Sequence, residues 1–153
     1  MRSIAGPPRT RCYPVKMHDT TTGYRELEHT ADWELEVWAP DMAELLEIAA
    51  RGMYHLMGVE LDPGPRQDRR LTLEAADREA LLVDFLGELL FIHEAEGVVF
   101  DDFDLTVDGG RLEAALTGSS AGTKAKEIKA VTYHGLRVAE TERGVETRVV
   151  FDV

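Results

Sequence analysis

Cysteine is almost absent from this chain. Cys12 stands alone, which excludes an intrachain disulfide framework and any cysteine-clustered zinc site. No apolar run approaches the roughly eighteen residues a membrane helix needs, and the opening MRSIAGPPRTRCYPVK lacks the apolar block of a signal peptide. The expected compartment is therefore the cytoplasm, with no membrane contact. Phosphate-binding strings are missing too: neither GxxxxGK(S/T) nor GxGxxG occurs, and neither Gly87 nor the Gly109-Gly110 pair makes a phosphate loop. Positive charge is scarce. Seventeen Lys and Arg against 29 Asp and Glu leave −12, a field that repels a phosphate backbone, so direct RNA binding is not expected.

What remains is enough for one core. At 153 residues, 44% apolar and 30% charged, the chain fits a single domain. The charge is unevenly spread: residues 1–16 carry Arg2, Arg9, Arg11 and Lys16 with no acid, giving +4 against −16 for the remainder. With Gly6, Pro7, Pro8 and Pro14, residues 1–22 read as a flexible basic tail, with Met17 as an alternative start, and residues 23–153 as the folded domain.

Periodicity supplies the elements. Trp33, Leu35, Val37 and Ala39 alternate with Glu34, Glu36 and Trp38, which predicts a strand with one wet face, closed by Pro40. Asp41 is the predicted N-cap of a helix carrying Met42, Leu45, Leu46, Ala49, Met53 and Leu56 and ending at Gly58. Residues 61–68 read as a loop and 71–75 as a short strand. Asp77 caps a second helix with the stripe Leu81, Leu82, Phe85, Leu86, Leu89 and Ile92. Strands are expected over 98–107, 111–117, 128–142 and 145–153, with a small-residue loop between 118 and 127. The predicted class is α+β: a mostly antiparallel or mixed sheet with two helices packed on one face.

Four clusters could carry chemistry. Glu28-His29-Thr30-Ala31-Asp32 lies between strand-like segments, either as a site at a sheet end or as a turn whose polar groups satisfy backbone. At the other end, Asp152 and the terminal carboxylate of Val153 are hard oxygen donors suited to calcium, magnesium or manganese if the last strand pairs near Asp32; otherwise they are a frayed acidic end. Asp101, Asp102 and Asp104 lack the glycine and glutamate of a calcium loop and read as a solvated face. In Lys126-Glu127-Ile128-Lys129-Ala130-Val131-Thr132-Tyr133-His134, no serine, cysteine or second histidine completes a catalytic set around His134. His134 reads as structural.

Taken together, EHTAD at 28–32, LLVDFLGELLFIHE at 81–94, EIKAVTYHGLRV at 127–138 and the closing VVFDV resemble, in that order, the archease family. The resemblance implies an α+β protein that is not itself an enzyme. It implies instead a metal-binding cofactor of an RtcB-type GTP-dependent RNA ligase, promoting guanylylation and multiple turnover in tRNA splicing or RNA repair, with RNA met only through the ligase. Its divalent ion, calcium or else manganese or magnesium, is expected on Asp32, Asp152 and Val153. His29, Lys129, Tyr133 and His134 fall on further family positions without assigned roles. Ser119 and Lys126 depart from the family pattern, standing where members often carry an acid and a histidine. An adaptor or chaperone for tRNA-modifying enzymes such as a methyltransferase is the alternative, and self-association stays open.

Overall fold

A computed structural model describes residues 10–16, 19–27, 33–123 and 126–153. Ten strands and two helices follow one another in the described residues. One sheet takes β1 (Thr10–Lys16), β2 (Asp19–Leu27), β3 (Trp33–Ala39), β10 (Gly144–Asp152) and β8 (Ala130–Thr132) in that order, with β9 (Ala139–Thr141) also on β10. The other places β7 (Arg111–Thr123) between β5 (Gln67–Glu74) and β6 (Val98–Asp108), with β4 (Glu60–Leu61) on its far end. Every pairing is antiparallel.

Helix α1 (Met42–Met57) and helix α2 (Arg78–Glu96) each touch strands of both sheets. Their starts are those the sequence predicts: Asp41 accepts a hydrogen bond from Glu44 N at 2.9 Å, and Asp77 from Ala80 N at 2.8 Å. Both end on glycines in the left-handed region, Gly58 and Gly97, a conformation that costs glycine nothing and other residues about 1–2 kcal/mol. Leu45, Leu46 and Met53 of α1 and Leu82, Phe85 and Leu89 of α2 are fully buried against the sheets. At about 1.5–3 kcal/mol per side chain, this apolar burial rather than helix propensity holds both helices in place.

The structure departs from the sequence reading in several places. There are two sheets, not one. Strand β1 lies in the stretch read as a tail and pairs with β2 at the sheet edge; its register shifts between Pro14 and Lys16, and an edge is where a residue without an N–H is tolerated. Strand β3 has no wet face, since Glu34 and Trp38 are buried along with Leu35 and Val37. Arg25 and Arg143 lie over the Trp38 ring, 5.6 and 4.4 Å from its centroid, and Arg148 pairs with Glu34 at 3.5 Å. Long cationic side chains thus cover what alternation reads as solvent.

Strand β5 begins at Gln67, inside the expected loop, and β7 runs on to Thr123 through the expected small-residue loop. The expected strand over 128–142 is only two short pieces, because a turn closed by Leu136 N donating to Tyr133 O at 3.0 Å divides it.

Strand β7 can run so far because Gly118 crosses the β6 backbone at close range. A Cβ there would sit 1.9 Å from Val99 O and 2.7 Å from Phe100 Cα, beside the bulge where β6 slips register between Phe100 and Asp102. Backbone atoms have nowhere to retreat. Gly118→Ala is expected to cost about 2–4 kcal/mol in urea unfolding, while Gly64→Ala, whose Cβ meets nothing within 4 Å, leaves the midpoint nearly unchanged.

Candidate functional site

The chain ends inside a sheet. Phe151 pairs with Trp33 on one side and Val131 on the other, and Asp152 pairs with Ala130. Phe151 is 0% exposed, and burying a phenylalanine contributes about 2–3 kcal/mol, comparable to the cost of ordering the two residues beyond it. The frayed-end reading therefore fails for the backbone through Asp152. Lys129 N donates to Asp152 O at 2.7 Å, extending the clamp one residue past β8. The Asp152 side chain is exposed and Val153 is 37% exposed, so both residues reach solvent at the rim of the sheet.

Trp33 lies beside this end through its pairing with Phe151. The Lys126 ammonium sits 4.3 Å from the Trp33 ring centroid, a cation–π contact worth about 0.5–1 kcal/mol where exposed. Lys126 is fixed by its own backbone, whose N–H donates to Met57 O at 3.1 Å, and by buried Ile128 two residues on. The last strand, the first residue of β3 and the segment 126–129 thus meet at one end of the sheet.

The donor set can be tested against a divalent ion. The Asp152 carboxylate and the Val153 main-chain oxygen are hard oxygens, the donor type for calcium, magnesium or manganese. Asp32 is bonded to Trp33, but Asp32 and His29 lie outside the described residues, as does the rest of 28–32. Among the described residues no three His, Cys, Asp or Glu side chains gather as a metal site. Asp152 thus offers an exposed hard oxygen donor at this end, and the Lys126 ammonium over Trp33 adds a positive charge to the same end.

The other predicted positions separate. Lys129 is exposed and adjoins the terminal edge through its backbone. Tyr133 and His134 lie beyond Thr132, which pairs with Val150, so they point away from the chain end by about three residues of strand, roughly 10 Å. Both are exposed, Tyr133 at 57%, and the His134 backbone N donates to Thr132 Oγ1 at 3.2 Å. Asp101 is exposed as expected and binds Arg66 through both carboxylate oxygens.

Sequence reasoning missed a cleft of about 250 Å³ between α1 and β6, lined among others by Tyr24, Arg51, Tyr54, His55 and Phe100. Helical spacing of Arg51 and His55, one turn apart, was its only visible signal. Arg51 binds Glu47 at 3.0 Å and the Asp101 carbonyl at 3.1 Å and lies over the Phe103 ring. Tyr54 Oη accepts from Phe100 N at 3.4 Å, and burial pushes its phenol well above the ordinary value near 10. These groups tie α1 to β6.

The class is then clear: a compact α+β domain of two antiparallel sheets sharing two helices, with oxygen donors on its terminal strand and no helix among the described residues long and apolar enough to cross a membrane. The profile of the archease protein family (MTH1598/TM1083) matches residues 24–153, and the chain belongs to that family. It is 31% identical over 138 residues to the protein archease of Methanothermobacter thermautotrophicus, covering 86% of this chain and 99% of the relative. To that of Thermococcus gammatolerans it is 34% identical over 129 residues, covering 79% and 91%.

The solution structure of Methanobacterium thermoautotrophicum protein 1598 superposes with a TM-score of 0.66 at 30% identity, covering 85% of this chain and 98% of that one. The crystal structure of a Thermotoga maritima archease, described as a possible chaperone, gives 0.63 at 26% identity, covering 83% and 94%.

Tyr54 offers a direct check of the α1–β6 tie. Its raised folded pKa means the stability it protects is intact below the unfolded value near 10 and is lost as pH rises above it toward the folded value. Tyr54→Phe is expected to lose about 1 kcal/mol at neutral pH, because Phe100 N loses its acceptor, and to show a flatter decline above pH ~10 in urea midpoints.

Proposed function

We propose that this archease is a divalent-metal-binding protein cofactor that activates an RtcB-type GTP-dependent RNA ligase, promoting guanylylation and multiple turnover in tRNA splicing or RNA repair. The observation that carries the reading is the clamped terminal strand: Phe151 beside Trp33 holds the Asp152 and Val153 oxygens next to the residue that follows Asp32. Calcium, manganese or magnesium would be held by Asp32, Asp152 and the Val153 terminus, and such an ion would supply positive charge at an otherwise acidic rim. The protein's own residues orient that rim. Phe151 fixes the strand end, Lys129 N holds the Asp152 carbonyl, and Lys126 over Trp33 sets a cation beside it.

The protein has no catalytic set of its own in this reading, and its effect arises from binding one ligase state better than another. Equal affinity for both states would change nothing. RNA is met only through the ligase, consistent with the −12 charge. The adaptor reading is favoured by a separate observation, the exposure of Tyr133 away from the terminal strand, and by the description of the Thermotoga relative as a possible chaperone.

The test is guanylylation of a cognate ligase with GTP and manganese, with and without this protein. Wild type is expected to give multiple turnovers, and Asp32→Ala or Asp152→Ala to lose about tenfold or more of the stimulation while unfolding at the wild-type urea midpoint. Absence of stimulation by wild type would sink the activator reading and promote the adaptor.

A further inference from the structure

Helix α2 turns seven large apolar side chains inward, and its opposite side carries Asp84, Gly87, Glu88, Phe91, Glu94 and Ala95. At about 100° per residue these six fall on one stripe centred on Phe91, with Gly87 and Ala95 one turn before and after it along the same row. Phe91 is 64% exposed. A single exposed phenylalanine needs no explanation; its neighbours make this one informative.

A Cβ on Gly87 would meet nothing within 4 Å, so no contact within the described residues requires a glycine there, although glycine is among the poorest residues for a helix interior. Elsewhere on α2, Glu79 accepts from Val138 N and Glu96 pairs with Arg69. Asp84, Glu88 and Glu94 have no partner among the described residues. The row is thus a projecting ring between two low points, flanked on both sides by carboxylates that no described residue pairs.

We propose that this side of α2 is the docking face for the partner ligase, an inference that rests on the activator reading. Phe91 enters an apolar socket, a partner element rests on the low ground at Gly87 and Ala95, and lysines or arginines around the socket face Asp84, Glu88 and Glu94. Charge selects this occupant. A symmetric contact with a second copy through Phe91 would set three carboxylates against three, and nucleic acid or an anionic membrane would be repelled. An enzyme that holds RNA carries the basic surface that the stripe complements. The face lies on a different element from the terminal strand, so docking and metal binding can be separated by mutation.

The experiment measures binding of the full chain to a purified RtcB-type ligase by calorimetry at low and high salt, with sedimentation of the chain alone. Phe91→Asp and Gly87→Leu are expected to weaken binding by at least about tenfold. Gly87→Leu keeps or raises the thermal midpoint, because its side chain fills empty space and favours helix. Phe91→Tyr retains affinity. Glu88→Lys with Glu94→Lys weakens binding most at low salt, where charge is least screened.

Wild-type affinity in both Phe91→Asp and Gly87→Leu would overturn the proposal while leaving the activator reading intact, as would self-association that depends on Phe91. No binding by wild type would remove the activator reading, and the occupant named here with it.

Discussion

The burial of Phe151 is the constraint on which the terminal edge depends. A chain end ordinarily frays, and an acidic one gains further solvation by doing so. Here the penultimate strand residue before Asp152 is a fully buried aromatic ring, and β10 is interior to its sheet, paired with β3 on one side and with β8 and β9 on the other. Two flanking ladders and an apolar anchor hold a segment that neither would hold alone. Remove the anchor and the oxygens of Asp152 and Val153, the Lys129 clamp and the meeting with Trp33 all lose their common reference.

The helices transmit this order. Because α1 touches β2, β3 and β10 on one side and β6 on the other, it links both sheets, and Lys126 N caps the link by donating to Met57 O at its last residue. Gly118 lets β7 pass close to the β6 bulge, while Tyr54 pins β6 to the same helix through Phe100 N. The cleft lies at that joint, where Arg51 binds the Asp101 carbonyl and Tyr54 accepts from Phe100 N, tying α1 to β6.

Charge is distributed with similar economy. On the outer faces of the strands the acids are largely matched, Arg111 with Glu74 and Glu113, Arg143 with Glu36 and Glu146, Arg66 with Asp101. Exposed pairs of this kind add little stability, but they neutralise surface. On the outer side of α2, Asp84, Glu88 and Glu94 have no such match among the described residues and leave part of the net negative charge beside Phe91.

Much of the fold was legible. The helix caps at Asp41 and Asp77 were visible because capping is a local contest for the first free N–H groups, and the helix stripes because burial on a helix repeats about every 3.6 residues. Strand ends were less so: Gln67 and Gly118–Thr123 look like loop by propensity yet pair because a neighbouring strand is available. The break at Tyr133–Leu136 split one expected strand into two.

The sequence by itself determined the class, the caps, the archease motifs and the acidic character, since these follow from composition and near-neighbour spacing. Only the tertiary structure decided that β3 is buried on both faces, that Lys129 adjoins Asp152 while Tyr133 and His134 stand apart, and that Phe91 faces outward. Each of those depends on register between segments far apart in the chain, and register is set by which side chains the assembled core has room to bury.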